Sequence, residues 1–216
     1  HTPGATVAPS LPASPAPATG LEGEGLRVSL ITAGGTPRPQ AAVLIDIGQG
    51  HTLFHDHGGD AYARLQNGAV YTVCGSEYRE ILSGEFYKLT GKGANRNALA
   101  DAVTTLAAIA KHEGRAAQVF LRIGESNGAI VIDTGGQDRA CHVVSAAAWR
   151  TDETPSVYFR RSGKPLSLPE PAEPAFDLLW RYVNVRPADH VLIAAWLLAA
   201  LRPRGPYPIL VLIGEQ

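Results

Sequence analysis

The sequence predicts an α+β fold: a helix pair with antiparallel hairpins, of which the winged helix is one form, then a small helical module entering one last strand. Three observations carry this. An apolar period of three and four residues runs from residue 76 to 110, the mark of paired amphipathic helices. Short β-branched and aromatic runs, punctuated by Gly and Pro, flank it on both sides. After a Pro-rich connector, the apolar run from Val191 to Leu201 leads into ILVLIG at 209–214.

Taken in order, residues 1–25 hold Pro, Ala, Gly and Ser with almost no large apolar side chains. Such a segment cannot bury enough surface to offset its ordering entropy, so a disordered linker is expected. Residues 26–165 read as an α+β accessory domain. LRVSLITA, AAVLIDIG, HTLFHDH, AYARL and AVYTVCG read as strands. Ser76 is placed as an N-cap, and Tyr78, Ile81, Leu82, Phe86 and Leu89 then form one helical stripe. Gly84 within it costs about 1 kcal/mol relative to Ala. Past a GKGAN break, Leu99, Val103, Leu106 and Ala110 line a second helix, which Gly114 is placed to stop. QVFLRI, AIVIDTG, CHVVSAAAW and SVYFRR read as returning strands. Residues 166–216 read as the helical module and final strand, with helices at 176–182 and 188–201.

A formal net charge of −1 supplies no global field toward nucleic acid or membranes, so any such binding must come from local patches. The longest apolar run is far short of the roughly 20 residues a membrane span requires. Cys74 and Cys141 are too few for a disulfide framework, and a reduced, cytoplasmic compartment is expected. The chain opens on His1 and contains no Met, which points to a processed product or an excised piece.

Several short matches tempt. Gly124-Glu125-Ser126-Asn127-Gly128 has the letters of a nucleophile elbow, but that chemistry needs a strand before the serine and a helix after it. Strands flank it here, and Asn-Gly favours a hairpin turn. Asp133-Thr134-Gly135 has the letters of an aspartic-protease signature. A retropepsin-like enzyme would need a second carboxylate to share its proton, supplied by another copy. His51, His55 and His57, near Asp56 and Asp60, could begin a metal site if further ligands came from elsewhere. Basic residues gather at Lys88, Lys92, Arg96 and Arg115 flanking the helix pair, and at Arg150, Arg160, Arg161 and Lys164 on the later hairpin and its exit, with the later group and then Lys92 and Arg96 the expected contacts. Lys and Arg so placed can neutralise phosphates without reading sequence.

From Phe86 onward a succession of segments is familiar: FYKLTGK, ALADAVTTLAAIA, VFLRIGESNGAIVIDTGG, AWRTDETPSVYFRRSGKPLSLPEP, and YVNVRPADHVLIAAWLLAALRPRGPYPILVLIGEQ. Together they resemble primase–helicase-like ATP-binding proteins of phages, plasmids and integrative elements, in the region upstream of the P-loop domain. The resemblance implies that ILVLIG is the first strand of an ATPase core and that Gly214, Glu215 and Gln216 open its phosphate loop. A working loop continues Gly-Lys-[Ser/Thr], whose Lys meets phosphate and whose hydroxyl meets Mg²⁺; this chain carries neither residue there. ATP and Mg²⁺ are therefore expected of the parent protein and not of this segment. The expected role is non-catalytic: binding DNA or RNA, or holding subunits together for a homo-oligomeric ATPase, with no membrane partner.

Overall fold

The computed structural model describes residues 29–31, 34–136, 139–153, 157–161, 168 and 175–213. The expected linker, most of LRVSLITA, and Lys164 lie outside them, as do Gly214, Glu215 and Gln216. The fold is α+β.

The first element corrects the sequence reading. AAVLIDIG is not a strand but the body of helix α1, Gln40–Gln49, entered through Pro39, whose φ of −55° already suits a helix start. A short apolar run has no decisive period, and here Val43, Leu44 and Gly48 fall on one helical face and are buried. Arg38 ties the entry down by donating to the Asp46 carboxylate and to the Ser29 carbonyl.

Strands β1 (Thr52–His55), β2 (Ala61–Arg64) and β3 (Val70–Thr72) follow as antiparallel neighbours. Helix α2, Ser76–Thr90, starts at Ser76 itself, so Gly75 is the N-cap and Ser76 the first helical residue. Tyr78, Leu82 and Phe86 are buried as the stripe requires, whereas Leu89 stays exposed. Gly91 at a φ of +69° ends the helix in the left-handed conformation. Helix α3, Arg96–His112, is capped by the Asn95 side chain, which accepts from the Asn97 N–H at 2.8 Å. Gly114 follows it where expected, for a steric reason. A Cβ there would stand 2.3 Å from the Ala110 carbonyl oxygen and 2.9 Å from that of Leu53. This close passage lets β4, Arg115–Ala116, pair in parallel with β1 and complete the order β3-β2-β1-β4.

Strand alternation then decides which side chains meet. Ala61 and Ala63 face the helices, in a core with Val43, Leu44, Tyr78, Leu82, Val103 and Leu106. Burying each of the larger side chains contributes about 2 kcal/mol. Phe54, Tyr62 and Val70 form a second core on the other face, with Tyr158 and Val119 packed against it.

The second half is an antiparallel meander of β6 (Ile123–Ser126), β7 (Ala129–Asp133), β8 (Cys141–Val144) and β9 (Trp149–Asp152), preceded by β5 (Val119–Phe120). CHVVSAAAW is thus two strands, divided by a turn that Ser145 closes through the Ala148 N–H and carbonyl. Strand β10, Tyr158–Phe159, pairs in parallel with β5, and Arg160 bridges Val70. It is the wedge between the halves. The Tyr158 ring packs at a tilt 4.9 Å from that of Phe54, while Phe159 enters the meander core of Phe120, Val131, Cys141 and Val143.

A 3₁₀ turn at Phe176–Arg181, another at Pro187–Asp189 and helix α4, His190–Ala200, complete the described elements. Residues 209–213 of the expected final strand are irregular and largely exposed, with no strand partner among the described residues. Apolar content alone does not form a strand without a sheet to pair with. No helix among the described residues is long and apolar enough to cross a membrane.

Candidate anion-binding cleft

Between the far face of the first sheet and the meander lies a cleft lined by Arg64, Gly68, Asp133, Arg139, Arg161 and the β10 residues. Each guanidinium arrives from a different segment for a local reason. Arg64 ends β2 with the same parity as Tyr62, so it points away from the helices and sits 5.7 Å from the Tyr158 ring. Arg139 closes the loop between β7 and β8 at a φ of +61°, which is uncommon for a residue other than glycine. Its guanidinium donates to the Asn67 carbonyl in the β2–β3 turn. Arg161 takes Phe159's side of the wedge, donating its backbone N–H to Val70 at 2.8 Å and a guanidinium N–H to Gly136 at 3.1 Å.

Asp133 is the only buried charged residue among those described, 5% exposed at the end of β7. It accepts the Gly135 N–H at 3.1 Å, while the Thr134 hydroxyl donates to the Ala140 carbonyl at 2.8 Å and fixes the loop. Three guanidiniums thus share the cleft lining with one carboxylate. Burial, and then the like charges of Arg64 and Arg161, push the Arg139 guanidinium below its usual range, and Asp133 only partly offsets them. A bound anion would relieve that repulsion. Beside the cleft, Arg115 lies 5.8 Å from the Tyr158 ring and donates to its hydroxyl.

Of the residues expected from sequence, Arg161 lines the cleft and Arg160 does not. Arg160 lies on Tyr158's side of the wedge and acts electrostatically on Tyr62. Its Nε is buried and meets no hydrogen-bond partner among the described residues. Arg150 is exposed on β9, 3.6 Å from Asp152. Lys92 and Arg96 stand at the start of α3, whose 17 residues place them roughly 25 Å from the Arg115 end. Sequence reasoning grouped Arg115 with the basic residues flanking the helix pair and missed Arg64 and Arg139, which stand singly along the chain.

The other motifs find ordinary places. Asn127 and Gly128, at φ of 50° and 74°, form the tight turn between β6 and β7, so Ser126 belongs to a hairpin and not to an elbow. Asp133 shares its cleft with arginines and with no second carboxyl among the lining residues. The histidines do not converge. His51 meets the Tyr78 hydroxyl at 2.9 Å and Glu85 at 3.4 Å, His55 bonds the Asp56 carbonyl at 2.9 Å, and His57 is exposed in the β1–β2 turn. Among the described residues no three His, Cys, Asp or Glu side chains are grouped to hold a metal ion.

Compared with family models, curated proteins and solved structures, the chain matches none.

Proposed function

We propose that this chain is a non-catalytic nucleic-acid-binding module that grips phosphate through Arg64, Arg139 and Arg161. The observation that carries the reading is their convergence with a net excess of positive charge in one cleft, in a chain of nearly zero net charge. Guanidinium forks match phosphate oxygens, and contacts of this kind position a strand without reading its bases. In the setting that the sequence resemblance suggests, the module serves a mobile-element primase–helicase-type ATPase, holding DNA or RNA while a homo-oligomeric ATPase domain acts. A winged-helix mode, with a helix as the reading element, has less support. The cleft is built from strands and turns, whereas α3 spends Ala102, Val103, Leu106, Ala107 and Ala110 on the core.

The test is fluorescence anisotropy of labelled single-stranded and duplex oligonucleotides over a salt series. Binding that falls steeply with salt, and weakens on Arg139→Ala or Arg161→Ala in a folded protein, is the expected result. No binding at low salt, or binding indifferent to both substitutions, overturns the reading.

A further inference from the structure

We infer that the cleft is an end-binding site, one that takes the terminal phosphate monoester of a strand in preference to an internal phosphodiester. This rests on the nucleic-acid reading above and adds the chemical form of the group bound.

Asp133 is the discriminating residue. A carboxylate in an anion site repels a fully deprotonated phosphate, but it can accept a hydrogen bond from one that still carries a proton. A monoester, with a second pKa of about 6, supplies such a P–OH group in its singly charged form, which Asp133 would favour. A phosphodiester has no proton to donate.

The walls favour the same group. An internal diester needs an open path for the chain on both sides, whereas a terminal monoester needs it on one. Here the Arg139–Asn67 hydrogen bond ties the loop after β7 to the β2–β3 turn, so the cleft is bridged across its rims. Gly68 lies under that bridge, where a Cβ would collide with the Arg139 guanidinium. Donors remain to meet phosphate: among the described residues, the Arg139 and Arg161 side chains each give one N–H to a backbone carbonyl, out of five per guanidinium.

The experiment compares the intact chain's affinity for one oligonucleotide sequence bearing a 5′-phosphate, a 3′-phosphate or hydroxyls at both ends. At least one phosphorylated end is expected to bind about tenfold more tightly than the hydroxyl form. Asp133→Asn should bring that ratio toward one, since the amide can donate to any phosphate oxygen, while Arg139→Ala weakens every form. The wild-type ratio stands by itself if Asp133→Asn fails to fold. Equal binding of all three, still salt-sensitive and Arg139-dependent, overturns end recognition and leaves the nucleic-acid reading intact. Capture of inorganic phosphate with no binding of any oligonucleotide overturns both.

Discussion

Arg139 donates to the backbone carbonyl of Asn67 across 72 residues of sequence, joining the loop that follows β7 to the turn that follows β2. Arg139 sits at a φ of +61°, uncommon for a residue other than glycine, while Gly68 at +75° belongs to the β2–β3 turn that its N–H closes on the Leu65 carbonyl at 2.7 Å. The contact holds a guanidinium beside the like charges of Arg64 and Arg161 in a partly buried cleft.

Gly68→Ala is the most direct probe of that contact. The new Cβ would be strained at this φ and would displace the Arg139 guanidinium. A loss of about 1–2 kcal/mol in denaturant unfolding is expected, together with weaker oligonucleotide binding. Unchanged affinity would show that Arg139 does not act from this position.

The expected phosphate contacts can be ranked by salt dependence. Arg161→Ala should lower the slope of log affinity against log salt by about 1, as loss of one phosphate contact does. Arg96→Ala, at the far end of α3, should leave the slope unaltered. The reverse ranking would move the binding surface to the helix pair.

Gly114→Ala should be among the most damaging single-methyl additions. Backbone oxygens from two elements would meet the new carbon at 2.3 and 2.9 Å, and neither can swing aside as a side chain can. A loss of about 2–4 kcal/mol is expected from a urea titration. Tolerance of the substitution would mean that the α3–β4 junction relaxes freely.

The sequence showed the parts of this fold whose period is long enough to measure. Helices α2 and α3 follow their stripes, and the strands from β1 to β3 stand between turn residues. AAVLIDIG was misread because four or five adjacent apolar residues suit a buried helix turn as well as a strand, and only packing against α3 decides. ILVLIG carried the opposite error, since strand-like composition cannot supply a neighbouring strand. The cleft was half legible. Arg160-Arg161 is visible as a basic pair, but which of the two faces the cleft depends on the register of β10. Arg64 and Arg139 become neighbours only through tertiary structure.

Alkaline pH should destabilise the fold in a defined window. Burial pushes the Cys141 thiol up from 9.0 to about 11, with Asp152 and Asp133 adding to it. Burial and Asp56 push the Tyr62 hydroxyl up from 10.0 to about 12. Both groups are neutral in folded and unfolded chains below pH 9, so stability from them is fully present there. Above it the unfolded chain releases these protons first, and stability declines through about pH 12. Urea midpoints from pH 7 to 11 should bend downward near pH 9, and Cys141→Ala should delay the bend toward pH 10.

The two thiols should also separate chemically. Cys74 is exposed, whereas Cys141 is fully buried with its thiol held protonated. A thiol reagent at pH 8 should label one site per native chain, at Cys74 by peptide mapping, and two after denaturation. Rapid native labelling of Cys141 would mean that the meander opens on that timescale.

The wedge made by β10 also sets an order of events during synthesis. Its partners, Val70 in the first sheet and β5 at 119–120, leave the ribosome well before Tyr158 and Phe159 do. Until then the helical half and the meander are two neighbours on one string, each with its own core and neither with a cleft. Arg161 emerges after both. A nascent chain halted before residue 158 would therefore hold most of its secondary structure while lacking the wall that makes its arginines a site.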